Sequence, residues 1–282
     1  MIAEDGVPVG VMKDGDSVIL FNFRGDRALE ISMAFDGDDS FDRFDRGEVP
    51  QVKYAGMLEY DAEQHIPRRY LVEPPRIRQT LTELLAENGS REYACSETQK
   101  FGHVTYFWNG NRREKFSEEL ETWEEVPSDS RSFDESPWMK AAEITDRVIA
   151  AIESGEYGFI RCNFPNGDMA GHTGSLQATE IAVEAVDLCL DRILRACDEH
   201  GCILIVTADH GNCEQMLEKN KEGEITVRTA HTVNPVPFIL HDRDARHELD
   251  TESPFGLANV AATVAELLGI PPCESWEKSM LK

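Results

Sequence analysis

The chain has 282 residues, 41% of them hydrophobic, and a formal net charge of −25. That length suffices for one large α/β domain plus part of another. A balance this acidic excludes nucleic-acid binding through the bulk field, and no apolar stretch approaches the length that crosses a bilayer. The acidity reads as a solvated surface, with adaptation to high salt as the alternative. It does not bar an anionic substrate, because surface charges more than about 8 Å away are largely screened at physiological salt and local charge decides. The start, Met-Ile-Ala-Glu-Asp-Gly, lacks a basic and an apolar region, so no export signal is expected. The seven cysteines are scattered, with no Cys-x-x-Cys pair. Cys95, Cys162, Cys189, Cys197 and Cys202 read as small buried apolar residues in a reducing, cytoplasmic compartment. Cys213 reads as packing, with a sulfur ligand as the alternative.

Residues 1–16 carry turn signals at Asp5-Gly6 and Asp14-Gly15, and Ser17–Phe23 is an apolar run of strand length. Arg24-Gly25-Asp26-Arg27 then opens a helix-like run to Ala34. Two guanidinium groups at the end of a strand suit an anion; surface salt bridges are the plainer reading. Residues 36–47 look like an exposed loop and Lys53–Tyr60 like a strand. Pro74-Pro75 marks a hinge, dividing the chain into 1–73 and 74–282. Arg76–Asn88 is an amphipathic helix closed by Gly89. Arg91–Ser96 and His103–Trp108 read as strands, with Lys100 in the polar loop between them, by itself an ordinary solvated lysine. Residues 112–135 read as surface loop. Ser136-Pro137 signals the start of a helix running to Ile152.

The segments that carry chemistry follow. Gly158–Asn163 and Cys202–Thr207 read as buried strands. Each breaks into a loop bearing Asp and His: Gly167-Asp168-Met169-Ala170-Gly171-His172-Thr173-Gly174 and Ala208-Asp209-His210-Gly211-Asn212. Between them a long helix, Leu176–Cys197, shows an apolar stripe of Ile181, Ala185, Leu188, Cys189 and Ile193. Lys219–Glu224 is a charged turn, and the strand-like Thr226–Ala230 delivers His231. Pro237–His241 is a short strand and Leu257–Leu268 a final helix. Alternating strands and helices over 76–282 predict an α/β fold with a mostly parallel sheet between helices. In such folds sites lie beyond the carboxyl ends of strands, where both Asp/His stretches fall. The glycines around Asp168 and His172 let the backbone turn tightly. Carboxylate plus imidazole suits Mn²⁺ or Zn²⁺ better than Ca²⁺ or Mg²⁺. Asp168, His172 and His231 would hold one ion, and Asp209 and His210 part of a second, the pair suited to phosphoryl transfer.

Five stretches together resemble the cofactor-independent (2,3-bisphosphoglycerate-independent) phosphoglycerate mutases of the alkaline-phosphatase-like superfamily. They are Asn22–Ala28, Ser96-Glu97-Thr98-Gln99-Lys100, Asn163–Gly174, Thr207–Asn212 and Ala230–Pro237. The resemblance implies interconversion of 3-phosphoglycerate and 2-phosphoglycerate in glycolysis through a phosphoserine. It implies two Mn²⁺, with Mg²⁺ or Zn²⁺ as alternatives. Asp168, His172 and His231 would hold one manganese and Asp209 and His210 the other, while Arg24, Arg27 and Lys100 grip the phosphoglycerate, Lys100 as a catalytic group.

The family's opening strand with a metal-binding Asp, and its nucleophilic Ser, have no counterpart here, and Gly167 stands where the family usually has Pro. Residues 1–73 then correspond to the carboxyl-terminal piece of a substrate-binding α/β domain. Residues 74–282 correspond to an alkaline-phosphatase-like domain lacking its first strand, and the amino-terminal half is an expected partner. The chain alone is expected to be inactive. The alternatives are a phosphopentomutase or phosphatase of the same superfamily, which Arg24, Arg27 and the long match oppose, and a non-catalytic metal- or phosphate-binding remnant.

Overall fold

The computed structural model describes residues 10–23, 25–37, 41, 43–47, 49–61, 65–73, 77–220 and 222–282, without the side chains of 25–27. The chain forms two compact units, Met1–Arg76 and Ile77–Lys282. Pro74-Pro75 lies outside the described residues, as does most of the turn-rich segment 1–16.

In the first unit β1 (Ser17–Leu20) pairs in parallel with β2 (Lys53–Gly56), and α1 (Gly25–Asp36) makes the crossover. The anchor is Tyr54, 3% exposed, stacked on Phe35 with ring centroids 4.9 Å apart and hydrogen-bonded to Ser32 at 2.9 Å. Both strands are shorter than their apolar runs. Phe21 and Phe23, read as strand, are exposed instead.

The second unit is built on a parallel sheet with β3 (Glu92–Glu97) in the centre, β4 (Glu121–Val126) on one side and β5 (Phe159–Asn163) on the other. Every residue of β3 is buried, and an apolar layer covers each face of the sheet. On one face Tyr93 and Cys95 join Val126 and pack on Ile144, Val148 and Ile152 of α4 (Ala141–Ser154) and Ile193 and Cys197 of α6 (Leu176–His200). On the other, Phe159 and Trp108 pack on Leu81 and Leu85 of α2 (Leu81–Glu87) and Val264 and Ala265 of α7 (Val260–Leu267). Local chemistry sets the helix ends. Thr80 and Ser175 accept hydrogen bonds from the backbone N–H of Glu83 and Ala178, and Gly201 closes α6 at φ 70°, a conformation that favours glycine.

The mixed α/β character holds, but the parallel sheet is small. β6 (Leu204–Thr207) pairs antiparallel with β9 (Phe238–His241), and β7 (Leu217–Lys219) with β8 (Ile225–Val227), outside the parallel sheet. Leu204 leans on the α4/α6 core and Ile205 on the α2/α7 core, as Ile160 and Phe159 of β5 do. Yet among the described residues no ladder joins β5 to β6. For want of a neighbour on those edges, neither strand is the fully buried one its apolar sequence suggests: β6 has no buried residue and β5 only Arg161.

Other expectations fail locally. His103–Trp108, rich in strand formers, instead ends a short helix α3 (Phe101–Val104) and continues as turns from Thr105, whose hydroxyl donates to the Phe101 carbonyl. Residues 112–135, too charged to suggest a strand, contain β4. The Glu121 carboxylate there is consumed by Asn109 Nδ2 at 2.9 Å and by the backbone N–H groups of Phe116 and Ser117. Ser136-Pro137 sits in turns and the helix begins at Ala141, because Pro137 and Trp138 direct their carbonyls to Asn166 Nδ2 at 3.0 and 2.9 Å. On α6 the buried face is Ala178, Thr179, Ala182, Cys189, Ile193, Ala196 and Cys197, while Leu188 is 69% and Ile181 37% exposed. Small residues let the neighbouring helices approach, and the bulkier ones are displaced outward. All seven cysteines are free. Cys162 and Cys202 are half-buried rather than buried, though both pack against the α4/α6 core.

Candidate metal centre

The first Asp/His stretch is helical rather than a glycine-bent loop. Asn166–Gly171 forms α5, with His172 as its C-cap, so Asp168 and His172 share a face through ordinary i,i+4 spacing. Of the surrounding glycines only Gly174, at φ 76°, takes a left-handed backbone. The other two serve close approach. A Cβ on Gly167 would stand 3.1 Å from Cys213 Sγ, and one on Gly171 2.9 Å from Asn212 Cγ. Cys213 is therefore packing, seated where Gly167 has no side chain.

His231 arrives on the segment after β8, stapled to the Asp209–Asn212 loop by the Thr232 N–H to Gly211 carbonyl bond at 2.9 Å. The Thr232 hydroxyl also donates to Glu214, whose Oε1 accepts from Asn234 Nδ2 at 3.0 Å. Arg228 holds the His231 carbonyl at 2.9 Å.

Three of the expected ligands meet. Asp168 Oδ1 lies 3.1 Å from His172 Nε2 and 3.0 Å from His231 Nε2, and the two nitrogens are 3.0 Å apart. Together they form a cluster able to hold a metal ion. Four-coordinate ions with bonds of about 2.0–2.1 Å set their ligands roughly 3.3–3.4 Å apart, so a spreading of the three atoms by a few tenths of an ångström admits an ion without rearrangement. The imidazole chemistry fits too. His172 Nδ1 lies 2.6 Å from the Thr229 carbonyl, which can only accept. The ring proton therefore sits on Nδ1 and the Nε2 lone pair faces the cluster. Burial and the adjacent His210 lower the His231 pKa, favouring the neutral ligating form.

Asp168 is prepared as an anion. Its burial opposes ionisation, but hydrogen bonds from Lys100 and Asn212 and the Lys100 charge outweigh that and hold its pKa at about 2. Lys100, 8% exposed, reaches Asp168 Oδ2 at 2.7 Å from the turn that follows β3. It is far from the solvated lysine its surroundings in the sequence suggest.

Asp209 and His210 follow β6. The His210 ring stacks on His231 with centroids 3.7 Å apart, which places the pair beside the cluster. Among the described residues no third carboxylate, imidazole or thiolate joins them to complete a second group. Arg24 lies outside the described residues, and for Arg27 only the backbone, in α1, is described.

Two contributors escaped the sequence reading. His103 lies within electrostatic reach of the site: burial and then Lys100 lower its pKa, while Asp209 and Asp168 oppose them. The signal was its position three residues after Lys100, one helical turn on. The Thr229 carbonyl had no sequence signal, being backbone.

Residues 5–272 match the family described as the metalloenzyme superfamily. The chain is 47% identical to the 2,3-bisphosphoglycerate-independent phosphoglycerate mutase of Trypanosoma brucei brucei over 99% of its own length and 52% of the relative's. It is 48% identical to a probable enzyme of that name from Arabidopsis thaliana, covering 100% of this chain and 52% of the relative. A crystal structure of Leishmania mexicana phosphoglycerate mutase at low cobalt concentration superposes with a TM-score of 0.88 at 46% identity, over 100% of this chain and 53% of that one. The chain thus spans about half the length of the relatives it matches. It belongs to the metalloenzyme superfamily and corresponds to about half of a 2,3-bisphosphoglycerate-independent phosphoglycerate mutase.

Proposed function

We propose that this chain supplies the metal-binding part of a phosphoglycerate mutase, interconverting 3-phosphoglycerate and 2-phosphoglycerate. The observation that carries the reading is the convergence of Asp168, His172 and His231 around one point, with Lys100 beside them. This occurs in a chain that aligns along its whole length with such mutases.

Asp168, His172 and His231 hold one divalent ion, a mixed carboxylate and imidazole set suiting Mn²⁺ or Zn²⁺ and the family resemblance favouring Mn²⁺, and Asp209 and His210 contribute to a second. When bound, such ions neutralise the oxygens of a transferring phosphoryl group. Lys100 adds a fixed positive charge, already stripped of most of its water, on the side of Asp168 away from the imidazoles. It is suited to a phosphoryl or bridging oxygen. Arg24 and Arg27 are proposed as the guanidinium grip on the substrate's anionic groups. A cytoplasmic location suits both substrate and free cysteines. Among the described residues no helix is long and apolar enough to cross a membrane.

The edges of β5 and β6 left unpaired among the described residues support a further part of the reading, that full activity requires the part that the relatives have in addition to these 282 residues. A mutase assay coupled to enolase, with Mn²⁺ present, tests it. The expected result is no turnover by the 282-residue chain alone and turnover once it is combined with a polypeptide matching the other half of its relatives. Turnover by the chain alone would overturn the requirement for a second part. A chain that binds no Mn²⁺ would overturn the site itself.

A further inference from the structure

Asn212 ends the Asp209–Asn212 loop, but its side chain serves a different element. Nδ2 donates to Asp168 Oδ1 at 2.9 Å and lies 3.3 Å from the Asp168 carbonyl. The residue is 4% exposed, and Oδ1 has no hydrogen-bond partner among the described residues. The amide is wedged over Gly171, where a Cβ would stand 2.9 Å from its Cγ. It is therefore delivered to one place by packing and aimed at one oxygen by its donor.

That oxygen is the one facing both imidazoles. With Oδ2 taken by Lys100 at 2.7 Å, the Asp168 carboxylate is gripped at both ends and cannot rotate Oδ1 away from His172 and His231. The two grips differ in kind. Lys100 brings a full positive charge that opposes a nearby cation, whereas Asn212 orients the carboxylate with a neutral amide donor.

The geometry points to Asn212 as the positioning residue of the Asp168 metal site, through which the loop bearing Asp209 and His210 fixes the ligand carried by α5. This rests on the metal-binding function proposed above. Outer partners of metal ligands are typically worth 10–100-fold in metal affinity, and that is the range expected here.

The test is Co²⁺ and Mn²⁺ binding by calorimetry and Co²⁺ absorption, on the whole chain, for wild type, Asn212→Ala and Asn212→Leu, with Gly171→Ala as an independent probe. Leucine keeps the branched four-atom skeleton of asparagine, with more bulk, and removes the donor, while alanine removes both donor and bulk. Gly171→Ala keeps the amide and displaces it. All three are expected to bind 10–100-fold more weakly, with shifted Co²⁺ d–d bands, while circular dichroism stays that of wild type. If Asn212→Leu binds like wild type, the side chain only fills space and the inference is overturned. If any variant misfolds, the remaining ones decide by the same criterion. Wild type that binds neither ion would sink the functional reading first, whereas wild type that binds alongside indifferent variants would sink only the role of Asn212.

Discussion

Two clusters of charge lie along the same pair of strands, and they are built to opposite ends. Towards the amino ends of β3 and β5, Arg161 pairs with Glu92 at 2.9 Å. Its Nε donates to the Val104 carbonyl at 2.8 Å, and Trp108 lies against its guanidinium. Thr82 donates to Glu92 and Asn109 to Glu121. Glu92, Glu121 and Arg161 are all nearly inaccessible to solvent. Beyond the carboxyl ends, Asp168 is as firmly held, but the imidazoles beside it are more than a third exposed and turn their Nε2 atoms to a common point. The first cluster spends its charge internally and ties the strands to the turn after α3. The second keeps one face open for a ligand. Burial of charge alone therefore does not mark a functional site; an accessible, convergent set of donors does.

Breaking the closed cluster should have the largest effect. Arg161→Met leaves Glu92 buried without its partner, for which about 3–5 kcal/mol of stability is the usual loss. Urea denaturation should show it, and a change below 1 kcal/mol would mean that the pair is not sealed. Breaking the open cluster should do the reverse. His172→Ala or His231→Ala should weaken Mn²⁺ binding at least about 100-fold, a loss of some 2.7 kcal/mol in affinity, while the urea midpoint of the metal-free protein changes little.

The pH dependence separates the clusters further. The Asp168 pKa is depressed to about 2 in the folded chain, against about 3.9 unfolded. Its stabilisation, roughly 2 kcal/mol, is complete above the unfolded value and is lost as pH falls through about 2. The stability gap between wild type and Asp168→Asn in metal-free buffer should close over that window, and a gap unchanged between pH 5 and 2 would contradict the assignment. Smallest of all, Ser175→Ala should cost about 1 kcal/mol through loss of the α6 N-cap and leave metal affinity unchanged.

The metal-centre residues were legible because each sits just past a strand, where an Asp or His breaking an apolar run has no packing reason to be there. What the sequence hid was the means of holding them. Gly167 and Gly171 read as residues of a tight backbone turn but serve as clearances for Cys213 and Asn212, a distinction that exists only between segments far apart in the chain. β4 was hidden because Glu121 and Glu124 look like surface charges. In the structure one is consumed by Asn109 and backbone donors and the other by Tyr93. The buried face of α6 was read only in part: Cys189 and Ile193 lie inside as expected, but ranking bulk over fit missed Ala178 and Ala182, which lie inside, and misplaced Leu188, which lies outside. His103–Trp108 misled because a short apolar run fits a turn-rich segment as well as a strand.

The most direct measurement is a Co²⁺ titration of the wild-type chain beside His172→Ala/His231→Ala, followed by visible absorption. The expected result is a saturable d–d band in the wild type that is absent from the double variant, both proteins folded. No band in the wild type, or the same band in both, would contradict a metal centre at Asp168, His172 and His231.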